Sequence, residues 1–170
     1  MTSLYDLTIP FLTNTIKAQQ HLISKAESFG TVSVNDLLES RLAEDMWPLS
    51  QQFTITALHS AMFVAKLTGA QPNQVNFGPA SLEDAKKYLA ETLKTLEGVT
   101  PESINGKEDK IVSAMMGPGN EVSMKAIDYV LGYLTPNVFF HLTTAYDILR
   151  MKGVPLGKSD FLSGFVKVAK

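Results

Sequence analysis

Two histidines sit in stretches that are otherwise apolar, and they are the residues of this chain best suited to chemistry. His59 falls in QQFTITALHSAMFVAKLT and His141 in TPNVFFHLTTAYDILR. An imidazole has an unperturbed pKa of about 6.5, so it can give or take a proton near neutrality. At helical spacing, Gln52, Thr56, His59 and Ser60 cluster on one side of the first stretch. Asn137, His141 and Thr144 form a stripe on the second. Polar side chains gathered this way on apolar helices are what a pocket for an organic molecule needs. In that reading His59 and His141 are hydrogen-bonding or acid–base groups, and Gln52, Thr56, Asn137 and Thr144 orient the ligand. Trp47, Phe53 and Phe140 supply apolar walls.

Two other readings use the same residues. In one, each imidazole makes a buried hydrogen bond and contributes to stability alone. In the other, the pair binds a metal and requires a third protein ligand. Helical two-histidine sites place the rings four residues apart. The residue four after His141 is Ala145, and the one four after His59 is Phe63. No HxxxH or HExxH occurs, and no Asp or Glu falls on either stripe. Neither GxSxG nor SxxK is present, which leaves a serine nucleophile without support. GPGN at 117–120 lacks the GK[ST] ending of a phosphate loop. His21 shares a polar face with Lys17, Ser24, Lys25 and Ser28, so periodicity assigns it to water.

The elements that must position these residues are legible from periodicity and punctuation. Leu12, Ile16, Ile23 and Ala26 make the core stripe of a first helix from about Ile9 to Phe29, stopped by Gly30. A helical turn is expected over Val34–Leu42. A second long helix opens near Asp45-Met46-Trp47-Pro48, with Asp45 as cap, and runs to Thr68 before Gly69. It is apolar over most of its circumference, as a buried helix is. Residues 73–79 read as a loop. Ser81 with Asp84 resembles a capping box ahead of a third helix that turns Leu82, Ala85, Leu89, Leu93 and Leu96 inward and ends at Gly98. Lys110–Met116 and Glu121–Met124 flank GPGN as a small hairpin. A helix resumes near Lys125 and reaches Leu134. The His141 helix follows, capped by Thr135 with Pro136 in its first turn and Gly153 at its end. In the tail, Asp160 with Lys158 is expected to order the loop, and Phe161, Leu162 and Phe165 to fold back on the bundle.

Length and composition bound the function. The 170 residues fit one domain, 1–170, able to bury a full core. With 45% hydrophobic and 19% charged residues the chain is globular. A formal net charge of −2 offers no basic excess to displace counterions from phosphates, against nucleic acid as partner. Cysteine is absent, which removes disulfides, thiolate nucleophiles and thiolate metal sites. MTSLYDLTIP has neither the basic flank nor the apolar run of a signal peptide, and no apolar run approaches the ~20 residues that span a bilayer. The expectation is a cytoplasmic protein with no membrane association.

Three blocks carry a resemblance: SLYDLTIPFL, RLAEDMWPLSQQF and FFHLTTAYDILRMKGVPLGKSDFL. They are similar to a domain family of unknown function, DUF1993, within the DinB/YfiT-like superfamily of four-helix bundles, which is associated with metalloenzymes and also includes thiol-dependent transferases and isomerases. The resemblance implies a site at the centre of the bundle. In metal-binding relatives three histidines hold the ion, one from the second helix and two, four apart, from the last. His59 and His141 match two of these places; Ala145 stands where the third ligand would be.

The expectation is therefore an all-α, DinB-like four-helix bundle with a short β-hairpin in the crossover before the last helix. Its function would be to bind a small molecule in a central pocket with His59 and His141, as a cofactor-free acid–base enzyme of isomerase, cyclase or transferase type. The alternatives are a non-catalytic homodimeric scaffold and a degenerate metal-binding member, a divalent metal lacking its full three-histidine set.

Overall fold

A computed structural model describes residues 2–72, 74–76 and 78–166. Four long helices form the body: α1 (Leu4–Phe29), α3 (Leu49–Thr68), α4 (Leu82–Glu97) and α7 (Thr135–Met151). Short helices α2 (Val34–Glu39), α5 (Pro101–Ile104) and α6 (Ala126–Tyr129) lie in the connections, and α8 (Lys158–Leu162) follows the last long helix. Strands β1 (Ile111–Met115) and β2 (Glu121–Lys125) pair antiparallel, with Ile111 opposite Lys125 and Met115 opposite Glu121. α3 packs on α4 and α7, and α1 packs on the same two, so α1 and α3 stand diagonally across the bundle. This is the helical bundle with a hairpin in its crossover that the sequence implies. Among the described residues no helix is long and apolar enough to cross a membrane.

The helix stops fall at the expected glycines, but three starts differ. α1 begins at Leu4 rather than Ile9, because Ser3 and Asp6 form a reciprocal capping box ahead of it. Pro10 is then inside the helix, on its exposed side, where water can take the carbonyl that the missing N–H leaves free. Asp45 does not cap α3. The chain enters that helix through extended Pro48, and the Leu49 N–H donates to the Ser40 carbonyl (2.8 Å), so a backbone group from the preceding connection replaces a side-chain cap. Thr135 is not a cap either. Its backbone is helical, and the chain runs from α6 into α7 through a π-helical turn, Val130–Leu134, immediately before Pro136. The Thr135 N–H reaches back to Val130 O, five residues away. Widening the helix by one residue accommodates a ring that would otherwise clash with the carbonyl four residues earlier.

The loop expected at 73–79 is non-helical where it is described; Asn73 and Phe77 lie outside the described residues. The tail folds back, with Phe165 beside Phe11 and Phe139 and Phe161 against Tyr146. A Cβ on Gly164 would collide with the Asn14 carbonyl, so the tail backbone lies directly on α1. His21 is not left to water as periodicity suggested. Its Nε2 is 2.8 Å from Asp160, which also approaches Lys25 (3.4 Å) and accepts from the Gly157 N–H. Asp160 thus orders the tail through α1 rather than through Lys158.

Candidate functional site

α3 and α7 bring the two imidazoles together. Their ring centres are 6.2 Å apart, with planes inclined by 25°. His141 is buried in the seam, and Gln52 holds it. The Gln52 amide donates from Nε2 to the Trp47 carbonyl (2.8 Å), which turns Oε1 toward His141 Nδ1 at 2.7 Å. Nδ1 therefore donates, and in the neutral ring Nε2 keeps its lone pair. The Trp47 ring lies nearly parallel to His141 at 5.8 Å, and Phe140 meets it edge-on at 5.2 Å. His59 hydrogen-bonds the side chain of Asn137 and packs edge-on against Tyr133 at 5.6 Å.

Burial pushes both imidazoles down to about 4. For His59 the Asn137 hydrogen bond opposes that shift; for His141 the neighbouring His59 adds to it. Both rings are thus neutral at physiological pH. Taking charge out of water is costly, and among the described residues no carboxylate hydrogen-bonds either ring to offset it.

A cleft of about 580 Å³ opens beside this pair, lined by Asp45, Met46, Trp47, Gln52, Pro136, Asn137, Phe140 and His141. Five of the residues expected at the site, Trp47, Gln52, Asn137, Phe140 and His141, thus share one hollow. His59 touches His141 but lines a second hollow under the hairpin. Thr56 is fully buried behind the cleft: its hydroxyl donates to Gln52 O (3.0 Å) and accepts from Gln19 Nε2 (2.9 Å). Thr144 is buried one turn beyond His141 and does not line the cleft. A surface hollow of similar size, about 590 Å³, lies between Gln74, Tyr88 and Lys94 and holds no imidazole.

Two contributors escape sequence reasoning. Gln19 stands on the inward stripe of α1 between Ile16 and Ile23, and a lone amide on an apolar stripe is a detectable signal. Tyr133 reaches the site from the π turn, which no local pattern announces.

The donor set does not fit a three-ligand metal centre. Ala145, fully buried, occupies the place four residues after His141. Among the described residues no cluster of three or more His, Cys, Asp or Glu could hold an ion.

The fold and this seam define a helical bundle that carries an imidazole pair between its second and last long helices. The chain belongs to the DUF1993 family, a domain of unknown function, whose model matches residues 4–162. It is similar to the crystal structure of a DinB family member from Shewanella denitrificans, with 30% identity and a TM-score of 0.86 over 98% of this chain and 96% of that one. No curated protein matches the sequence.

Proposed function

We infer that this protein binds a small organic molecule in the cleft between Trp47, Asn137, Phe140 and His141. The observation that carries this is the Gln52 clamp. An amide fixed at both ends selects one tautomer of His141, which leaves Nε2 as the acceptor on a ring flanked by an indole face and a phenyl edge. A buried hydrogen bond alone would serve stability; here the ring so fixed also lines an open cleft. Trp47 and Phe140 suit a flat or unsaturated ligand, and a ligand hydroxyl or amide N–H suits Nε2.

The low basicity of His141 ranks its roles. A base near 4 is poorly matched to removing protons at neutral pH, so hydrogen bonding to the ligand is primary. Acid–base catalysis without a cofactor follows only for a ligand whose own charge raises that value when bound.

Trp47 is the only tryptophan, so its fluorescence reports on this cleft alone. In a screen of aromatic and enolic fragments, binders should quench Trp47 and raise Tm. The double variant His59→Ala/His141→Ala should lose both responses. Unchanged binding in that variant would reject the site. A second reading, a homodimeric scaffold, draws on the exposed Leu131, Phe139 and Phe140 of the same region. Sedimentation separates the two: a dimer disrupted by Phe140→Ser, with no fragment binding, favours the scaffold.

A further inference from the structure

The second hollow, beneath the hairpin, has a volume of about 300 Å³, well beyond a packing gap. Its walls come from three sources. α3 supplies Leu58, His59, Met62 and Lys66; the hairpin supplies Ser113, Ala114 and Met115 from β1 and Glu121 from β2; α6 and the π turn supply Tyr129 and Tyr133. The tyrosine rings stack on one another at 5.3 Å, and Tyr133 meets His59 edge-on. π turns recur at functional sites, and here Tyr129 immediately precedes the turn and Tyr133 lies within it. The roof is a two-stranded hairpin, an element of marginal stability by itself, tied down near its tip by the Tyr133 hydroxyl on the Met115 carbonyl (3.1 Å).

We propose that this hollow is a second binding chamber, distinct from the Trp47 cleft, that admits a neutral single-ring aromatic bearing a hydroxyl group, with the hairpin as its door. Thioethers at Met62 and Met115 and the tyrosine faces favour an aromatic ring. His59, itself neutral, offers a hydrogen bond to an uncharged hydroxyl, and the two charged lining residues, Lys66 and Glu121, are of opposite sign and so favour no net charge on the ring. The imidazole pair is then the partition between two chambers, His141 facing one and His59 the other.

The probe is p-cresol, followed by NMR of protein carrying 13C-methyl methionine. Met62 and Met115 line the chamber and Met46 lines the other cleft, so the same spectrum tells them apart. The expected result is saturable shifts of the Met62 and Met115 methyls. Ala114→Leu, which fills the hollow from the hairpin side, should abolish them. His59→Gln, which keeps the residue neutral and polar, should weaken binding roughly tenfold, as loss of one well-placed hydrogen bond does. Tyr133→Phe should leave affinity within about threefold while speeding exchange, since it unties the door but keeps the ring. Shifts confined to Met46 would overturn the chamber while leaving the Trp47 cleft standing. No shift at Met62 and Met115 at millimolar probe would overturn it as well, as would shifts there that survive Ala114→Leu.

Discussion

The three histidines of this chain occupy two contrasting settings. His59 and His141 lie in the seam between α3 and α7, bonded to neutral amides and held neutral by burial. His21 lies half-exposed on α1, 2.8 Å from a carboxylate that Lys25 also approaches. The carboxylate there is Asp160, held at about 2, first by the Gly157 N–H, then by His21 and Lys25. The difference teaches that surroundings decide what an imidazole can do. The seam removes charge and presents a lone pair; the clasp uses the ring as one of several donors that pin down a tail.

The largest expected effect is an acid response confined to the seam. An unfolded histidine titrates near 6.5, whereas the seam rings titrate near 4. Between those values the unfolded chain binds more protons, so stability falls as pH falls. The contribution is complete above about pH 6.5 and exhausted below about 4. For each ring alone it is worth on the order of 3 kcal/mol. Denaturant midpoints between pH 7.5 and 4.5 should show the loss, and His59→Gln/His141→Gln should flatten it. Asp160 itself adds nothing to the slope in that window, because it is ionised throughout. A depressed carboxylate contributes above its unfolded value, near 4, and loses that contribution only as pH falls through about 2.

Next in size is Gln52→Leu. It keeps the volume but removes both Gln52 bonds, to the Trp47 carbonyl and to the His141 N–H, a cost of about 2–4 kcal/mol in urea unfolding. The tautomer of His141, read from its 15N shifts, should no longer be single. Gln52→Glu sharpens the point: an ionised carboxylate beside Nδ1 should raise the His141 pKa and make the seam behave like the clasp. No change in that pKa would mean that the amide does not control the ring.

How much of this could be read in advance follows from the range of each interaction. Glycine stops at Gly30, Gly69 and Gly153 and the apolar stripes of α1, α3 and α4 are local facts of the chain, and they appear where expected. Asp45 and Thr135 looked like caps because each precedes a helical pattern. The groups that displaced them, Ser40 O and a π turn, belong to neighbouring segments and leave no mark at the cap itself. The site divides in the same way. Gln52 and Asn137 could be placed near the imidazoles because all lie on the polar stripes of α3 and α7. That His59 opens beneath the hairpin depends on where β1 packs, and Thr56 turns away because Gln19 approaches from the diagonal helix.

The smallest effects belong to the clasp, and they test whether its histidine is expendable. Asp160→Asn retains size and an acceptor but removes the charge that the Gly157 N–H, His21 and Lys25 all address. Losing this hydrogen-bonded carboxylate should cost about 1–2 kcal/mol and loosen residues 157–166, visible as faster amide exchange there. His21→Gln should cost about 0.5 kcal/mol or less. A half-exposed pair is screened by water, Lys25 still faces Asp160, and the glutamine amide can donate in place of the ring. The same substitution at His141 breaks the contact with the Gln52 amide in a water-poor seam and should cost several times more. If His21→Gln and His141→Gln destabilise equally, burial does not separate the two settings, and the pocket loses the electrostatic argument that distinguishes its histidine from a surface one.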